Sequence, residues 1–352
     1  MKANRPIVHL VGSVPLKSSE SVFRAVSDVA GPYLARLPDG ETDARAIWAG
    51  YVGRRLDINP ALEVDPEFPH FDWHQHDGKL VARMRQLRFK AGVDPQSVKF
   101  EIDYAPPAIE SFAKFDALQR QGIIPAGVRF QVAIPTPIAL AYNSITPRDQ
   151  DAFIAAYEKQ IIGEVLEIAA AVPHDKLSIQ WDVCQEVLVW ENTYPVRPAH
   201  YKEQILSELQ RLGDAIPADV DFGYHLCYGS PQGEHLVMPK DAGVMVEILD
   251  GLFPRLHRKV QFVHLPVPQD RSDDAFFAPL EKLNLPEGCD LYLGLIHYRD
   301  EAGDRRRLDV ARRHVRVDGV SCECGWGRSD PAQVPDLLAA HSMLAGYLET
   351  AG

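Results

Sequence analysis

Eight short apolar runs, most of them followed by a stretch with helical spacing, set the pattern of this chain. They are Ile7–Gly12, Tyr33–Pro38, Arg129–Ile134, Leu177–Asp182, Asp221–Cys227, Val260–His264, Leu291–Ile296 and Gly319–Cys324. Continuous apolar strands separated by helices are what a parallel sheet with a covered outer face requires. Eight such units are the number that closes a ring, so the expected fold is an α/β (β/α)8 TIM barrel. Helical periodicity is clearest between Asp149 and Ala171, where Phe153, Tyr157, Ile161, Val165 and Ile168 recur on one stripe. It returns between Tyr201 and Gly213 with Ile205, Leu206, Leu209 and Leu212. Ser18 and Ser19 suit an N-cap for Val22–Val29, and Pro331 suits the first turn of the last helix.

One segment breaks the alternation. Residues 42–127 are too many for a simple crossover, are rich in Pro, His and aromatics, and hold a candidate strand at Lys99–Tyr104. The expectation is an insertion over the mouth of the barrel. Within it Trp73, His74 and His76 suggest a lid or an oligomer contact. With no repeat and no flexible linker, residues 1–352 are expected to form one barrel domain.

Composition narrows the class without naming a chemistry. Hydrophobic residues make up 46% and charged residues 24%, as in an ordinary globular enzyme whose core needs no disulfide staples. A net charge of −12 with no basic stripe argues against nucleic-acid or anionic-membrane partners. The start lacks a signal-peptide pattern and no apolar run reaches membrane-spanning length, so a cytoplasmic location is expected. The 5 cysteines, Cys184, Cys227, Cys289, Cys322 and Cys324, are odd in number and suit a metal site or buried thiols better than a disulfide framework.

In a parallel barrel, functional side chains gather at the C-terminal ends of strands. His225 and Cys227 form an H-x-C pair on one run, and residues i and i+2 point to the same side of a strand. Cys324 closes the last run. An imidazole and two thiolates suit Zn²⁺, and three protein ligands with an open fourth position describe a reactive site. Taken singly, each residue reads equally well as a core histidine or a buried small thiol. Their convergence at strand ends favours the metal. Cys322 is expected to pack, and Cys184 and Cys289 to be structural.

The order of a Gly-Ser near the start, a Gly-Glu pair, a strand ending in Asp, H-x-C and a late Cys-Gly resembles the catalytic barrel of cobalamin-independent methionine synthase. The resemblance spans nearly the whole chain. It implies that His225, Cys227 and Cys324 hold zinc, and that Ser13, Glu41 and Asp182 bind an amino-acid substrate. Two carboxylates can hold an ammonium, while a hydroxyl and backbone N–H groups accept a carboxylate. Without the resemblance, Ser13 could serve as a helix cap, and Asp39 and Glu41 could lie in a solvated turn.

The chain departs from that family in three places. The family's fourth zinc ligand, a glutamate, is replaced by His264, which is either a ligand or a partner that orients one. The family's Asp-Glu-Pro reads Asp182-Val183-Cys184. The extra N-terminal barrel that helps bind polyglutamated folate has no counterpart here, which puts a folate donor in doubt. His297, at the end of the next run, is placed either to protonate a leaving group or to be structural. Arg299, Arg305, Arg306 and Arg307 are expected at a solvated helix start.

The resulting expectation is a zinc-dependent alkyl, most simply methyl, transferase. It would act on a small thiol with a separate alkyl donor, with a homo-oligomer or a methyl-carrier protein as candidate partner. The rivals are a zinc hydrolase or lyase, a metal-free decarboxylase-like enzyme and a thiol sensor on the same barrel.

Overall fold

The computed structural model describes residues 7–230 and 235–350. Its strands, in chain order, are β1 (Ile7–Val8), β2 (Arg36–Pro38), β3 (Leu62–Val64), β4 (His70–His74), β5 (Leu80–Arg85), β6 (Leu87–Phe89), β7 (Arg129–Pro135), β8 (Leu177–Val183), β9 (Asp221–Leu226), β10 (Phe262–Pro266), β11 (Asp290–Ile296) and β12 (Gly319–Cys322). Eight of them form one all-parallel sheet in the order β1-β12-β11-β10-β9-β8-β7-β2. A parallel bridge between Val8 and Leu34 joins the two ends, so the sheet curls into an α/β TIM-type barrel. All eight apolar runs supply its strands.

Helices cover the outside in a ring. Those at Ser19–Ala30, Ala105–Arg120, Gln150–Ala171, Tyr201–Asp214, Gly243–Leu252, Glu301–Ala311 and Val334–Thr350 pack mainly on their ring neighbours, and the last returns to the first. Ser18 caps the first of these, its hydroxyl accepting from the Ser21 N–H. The strands alternate more sharply than their apolar look suggests. On β8, Trp181 turns outward and donates to the Leu212 carbonyl of the helix layer, while Ser178, Gln180 and Asp182 turn into the lumen. On β9, Tyr224 turns outward to Leu209, while Asp221 and His225 turn inward.

The lower lumen is closed by a satisfied polar plug. Arg36 of β2 reaches across to Asp221 of β9, with Nη2 donating to Oδ1 at 2.9 Å, and donates from Nη1 to the Tyr292 hydroxyl at 2.7 Å. Ser178 donates to the other Asp221 oxygen at 2.7 Å, and the guanidinium lies 4.1 Å from the Phe262 ring centroid. Burial pushes the Asp221 carboxyl up, but Arg36 more than offsets this and holds it below the usual range.

The long segment after β2 divides in two. Its first part carries a short helix, Ala49–Leu56, and two small antiparallel sheets, β3 with β6 and β4 with β5. Trp73 and Met84 of the second sheet line the cavity at the barrel mouth. His74 and His76 point to solvent. The second part holds the helix Ala105–Arg120, an ordinary crossover helix packed on β7 and on both helical neighbours. The candidate strand Lys99–Tyr104 does not form. Its Phe100 and Tyr104 N–H groups donate instead to the side chains of Gln160 and Glu164 on the helix Gln150–Ala171, which takes the place of a strand partner.

Among the basic residues near the helix Glu301–Ala311, Arg305 and Arg306 are solvated as expected, and Arg307 is not. It is fully buried, pairs with Asp300 and Asp304, and donates to the Leu295 and Gln269 carbonyls. No helix among the described residues is long and apolar enough to cross a membrane.

Candidate metal and amino-acid site

Register places the site. Asp182 of β8, His225 of β9 and His264 of β10 are successive ladder partners, so their side chains enter the lumen at one level. Cys227 lies just past the end of β9, where its N–H still donates to the Val183 carbonyl. That extra residue keeps it on the same side as His225. Cys324 lies two residues beyond β12. The two sulfurs are 3.8 Å apart, and they and a ring nitrogen of His225 lie within 4.8 Å of one another.

The donor set fits a tetrahedral ion. Zn–S bonds of about 2.3 Å at a tetrahedral angle place two sulfurs about 3.8 Å apart, which is the separation found here. Each thiol is pushed well above its ordinary pKa. Cys227 is raised first by its neighbour Cys184 and then by burial, and Cys324 first by Cys227 and then by burial. At neutral pH both thiols are protonated, and a divalent cation bound between them would displace those protons.

The cavity above these groups has a volume of about 260 Å³. Its acidic wall comes from β2 and β8. After β2 the chain turns through Gly40 at φ +81°, where a Cβ would lie 2.6 Å from Val22, so only glycine fits. Asp39 accepts from the Glu41 N–H and pairs with the buried Arg45 at 2.8 Å. That turn holds Glu41 at a strained φ of +46° and turns it into the cavity. Opposite it, Asp182 accepts from Gln180 Nε2 at 2.8 Å and from Trp48 Nε1 at 2.9 Å. Burial pushes Asp182 up to about 7 against those two hydrogen bonds. Burial and then the nearby Asp182 charge push Glu41 well up too. Two buried carboxyls held above their ordinary pKa face one cavity, an arrangement whose chemistry suits a cation.

Ser13 is no helix cap. Its hydroxyl accepts from the Gly327 N–H at 3.1 Å, and its carbonyl accepts from the Trp326 N–H at 2.7 Å. A Cβ at Gly325 would lie 2.5 Å from its oxygen, so the loop after Cys324 must be bare to dock there. The Ser13 hydroxyl hydrogen remains available to the cavity.

Thus Ser13, Glu41, Asp182, His225, Cys227 and Cys324 line one cavity. His264 and His297 do not. His264 stands fully buried behind His225, its Nδ1 lying 2.7 Å from Nδ1 of that residue. His297 has its Nε2 at 2.9 Å from the Val267 carbonyl, and burial lowers its pKa. Cys322 packs against Trp326, and Cys289 is buried away from the site. Cys184 is more than structural: it lines the cavity beside Cys227, a proximity that its place two residues after Asp182 already signalled. Three further residues, Trp48, Met84 and Arg328, went unread, and Trp73 was read only as part of a lid or an oligomer contact. Trp48 holds Asp182, Trp73 and Met84 supply the apolar wall, and Arg328 is a cavity-lining cation whose Nη2 donates to the Ser230 carbonyl. Only Arg328, close after Cys324, carried a sequence signal. Trp48 reaches the site from the turn before the helix Ala49–Leu56, and Trp73 and Met84 reach it from the small sheet of β4 and β5.

Comparison with known proteins agrees at the level of fold. A B12-independent methionine synthase from Shewanella sp. W3-18-1, solved with selenomethionine, superposes with a TM-score of 0.61 at 14% identity, covering 98% of each chain. A putative vitamin-B12 independent methionine synthase from Listeria monocytogenes gives a TM-score of 0.55 at 15% identity, over 95% of this chain and 86% of the other. No protein-family model matches the sequence, and no curated protein matches it.

Proposed function

We propose that this chain is a zinc-dependent methyltransferase that alkylates the sulfur of a small amino-acid thiol. The observation that carries the reading is one cavity holding a His-Cys-Cys donor set and two buried carboxyls facing the same space. The structural neighbours support it, since one is a B12-independent methionine synthase solved with selenomethionine and the other a putative vitamin-B12 independent methionine synthase.

His225, Cys227 and Cys324 would hold the ion and leave a coordination position for the substrate sulfur. A divalent ion bound there supplies the acidity that strips the proton from a thiol at neutral pH. The chain's own residues do the rest. Asp182 and Glu41 take the substrate ammonium, whose charge offsets the Asp182 repulsion that helps to raise Glu41. The Ser13 hydroxyl donates to the substrate carboxylate. Trp48, Trp73, Ile47 and Met84 exclude water from the approach of the alkyl carbon, so that the sulfur and carbon meet in line. A carbon–sulfur bond forms as the bond from carbon to the donor's leaving atom breaks, and the thiol proton leaves to solvent. His297 would supply a proton to the departing group only after leaving the Val267 carbonyl. The reading places a single barrel in the cytoplasm with a small-molecule thiol and a separate methyl donor.

The test is metal analysis followed by turnover. Purified protein should hold about one zinc per chain, lose it in Cys227→Ala and Cys324→Ala, and methylate homocysteine or a related aminothiol from a panel of methyl donors. Full activity in metal-free protein would refute the reading.

A further inference from the structure

Among the described residues, Arg328 is the only lysine or arginine that lines the cavity. The buried arginines of the molecule are already paired: Arg36 meets Asp221, Arg45 meets Asp39 and Arg307 meets Asp304. Arg328 has no carboxylate partner among the described residues. Its one hydrogen bond there runs from Nη2 to the Ser230 carbonyl at 2.8 Å, which leaves the remaining guanidinium donors available.

The chain carries this residue at the tip of a short turn. The Ser329 N–H donates to the Trp326 carbonyl at 2.7 Å, so Gly327 and Arg328 are the two central residues of a β-turn. The turn is fastened to the first strand's loop. The Trp326 N–H donates to the Ser13 carbonyl at 2.7 Å, and its buried ring lies 5.1 Å from the His341 ring, centroid to centroid. The Gly327 N–H donates to the Ser13 hydroxyl oxygen at 3.1 Å, and a Cβ on Gly327 would lie 2.7 Å from the Ser13 Cβ. From this turn the Arg328 side chain reaches Ser230, on the loop after β9. It therefore links the loop that follows Cys324 to the loop that follows Cys227. Arg328 is itself exposed, so its charge stands where the cavity meets solvent.

On the proposed reading the ligand is a zwitterion. Glu41 and Asp182 offer its ammonium an acidic wall, whereas Ser13 offers its carboxylate a neutral hydroxyl. A carboxylate drawn out of water needs a cation or several donors. A guanidinium supplies both, because its parallel N–H groups match the two oxygens of a carboxylate. Arg328 follows directly on Gly327, whose N–H holds the Ser13 hydroxyl oxygen, so its charge lies beside the group assigned to the carboxylate. We infer that Arg328 is a substrate-binding and specificity-determining residue: with Ser13 it receives the α-carboxylate of the aminothiol, and it selects against thiols that lack one. The inference rests on the proposed amino-acid site. An acidic group on the alkyl donor is the other anion that could meet this charge, and the link to Ser13 favours the aminothiol.

The test compares two thiols on the zinc-loaded protein by calorimetry: homocysteine and its decarboxylated analogue, aminopropanethiol. Wild type should bind homocysteine at least about 10-fold more tightly. Arg328→Met should weaken homocysteine by about 10- to 100-fold and leave aminopropanethiol within about two-fold of wild type. Arg328→Lys keeps the charge, loses the planar fork and should fall between the two. Zinc content, measured alongside, should be the same in all three proteins. Equal weakening of both thiols in Arg328→Met, or of neither, would overturn the inference. So would a KM change confined to the alkyl donor, which would assign Arg328 to an acidic group of that donor. Each of these results leaves the proposed function intact. A wild-type protein that binds neither thiol overturns the proposed function, and the inference falls with it.

Discussion

The two ends of the barrel lumen are built from the same kinds of side chain and do opposite things. At the lower end Arg36, Asp221, Tyr292 and Ser178 bury charge and satisfy it completely, each donor meeting an acceptor across the ring. At the upper end Glu41, Asp182, Cys227 and Cys324 line a cavity and are each held above their ordinary pKa. Burial alone therefore does not mark a functional residue. A buried acid with its partner in place is architecture, and one raised beside a cavity is a candidate for ligand contact.

The largest expected effect breaks the upper end outright. Cys227→Ala or Cys324→Ala should abolish metal binding and lower activity at least about 1,000-fold, with an unchanged circular dichroism spectrum. Next comes the lower end. Arg36→Met strands Asp221 in the lumen and should cost about 3–5 kcal/mol in denaturant unfolding, while kcat of the folded fraction stays near wild type. A variant that lost activity but kept its stability would dissolve the distinction between the two ends.

Asp182→Asn should weaken an ammonium-bearing ligand by about 2 kcal/mol, some 30-fold, read by calorimetry, and should spare a desamino analogue. A subtler effect follows from the Asp182 pKa of about 7. The folded protein keeps this proton to a higher pH than the unfolded chain does, so the stability it contributes is present at acidic pH. That contribution is lost as pH rises toward and through about 7. Ligand binding should run the other way, tightening from pH 6 to 8 as the carboxylate appears. Asp182→Asn should flatten both profiles. Smallest, Ser13→Ala should raise KM for the amino-acid thiol by roughly 1 kcal/mol with little change in kcat.

Much of this molecule was legible in its sequence because strands of a parallel barrel are short and apolar on their helix-facing side. Eight runs supplied eight strands, and the H-x-C spacing put His225 and Cys227 on one side of β9. The errors share a cause. Lys99–Tyr104 has the composition of a strand, but Gln160 and Glu164, about sixty positions away, take its N–H groups. Arg307 looks solvated beside two exposed arginines, yet Asp300 and Asp304 draw it inside. Trp48 reaches the cavity through the path of a loop, which local periodicity does not encode, whereas Cys184 repeats the two-residue spacing from Asp182. Where a partner is distant, a residue's own neighbourhood is silent about it.

The docking of Ser13 onto Gly327 ties together positions 314 residues apart. A ribosome must release every residue between the two halves before that clasp can close, and Cys324 arrives only with the second half. An N-terminal fragment that stops short of β12 should bind zinc far more weakly than the intact protein, however well its helices form. On the proposed reading, competence at this site therefore waits for the far half of the clasp to be made.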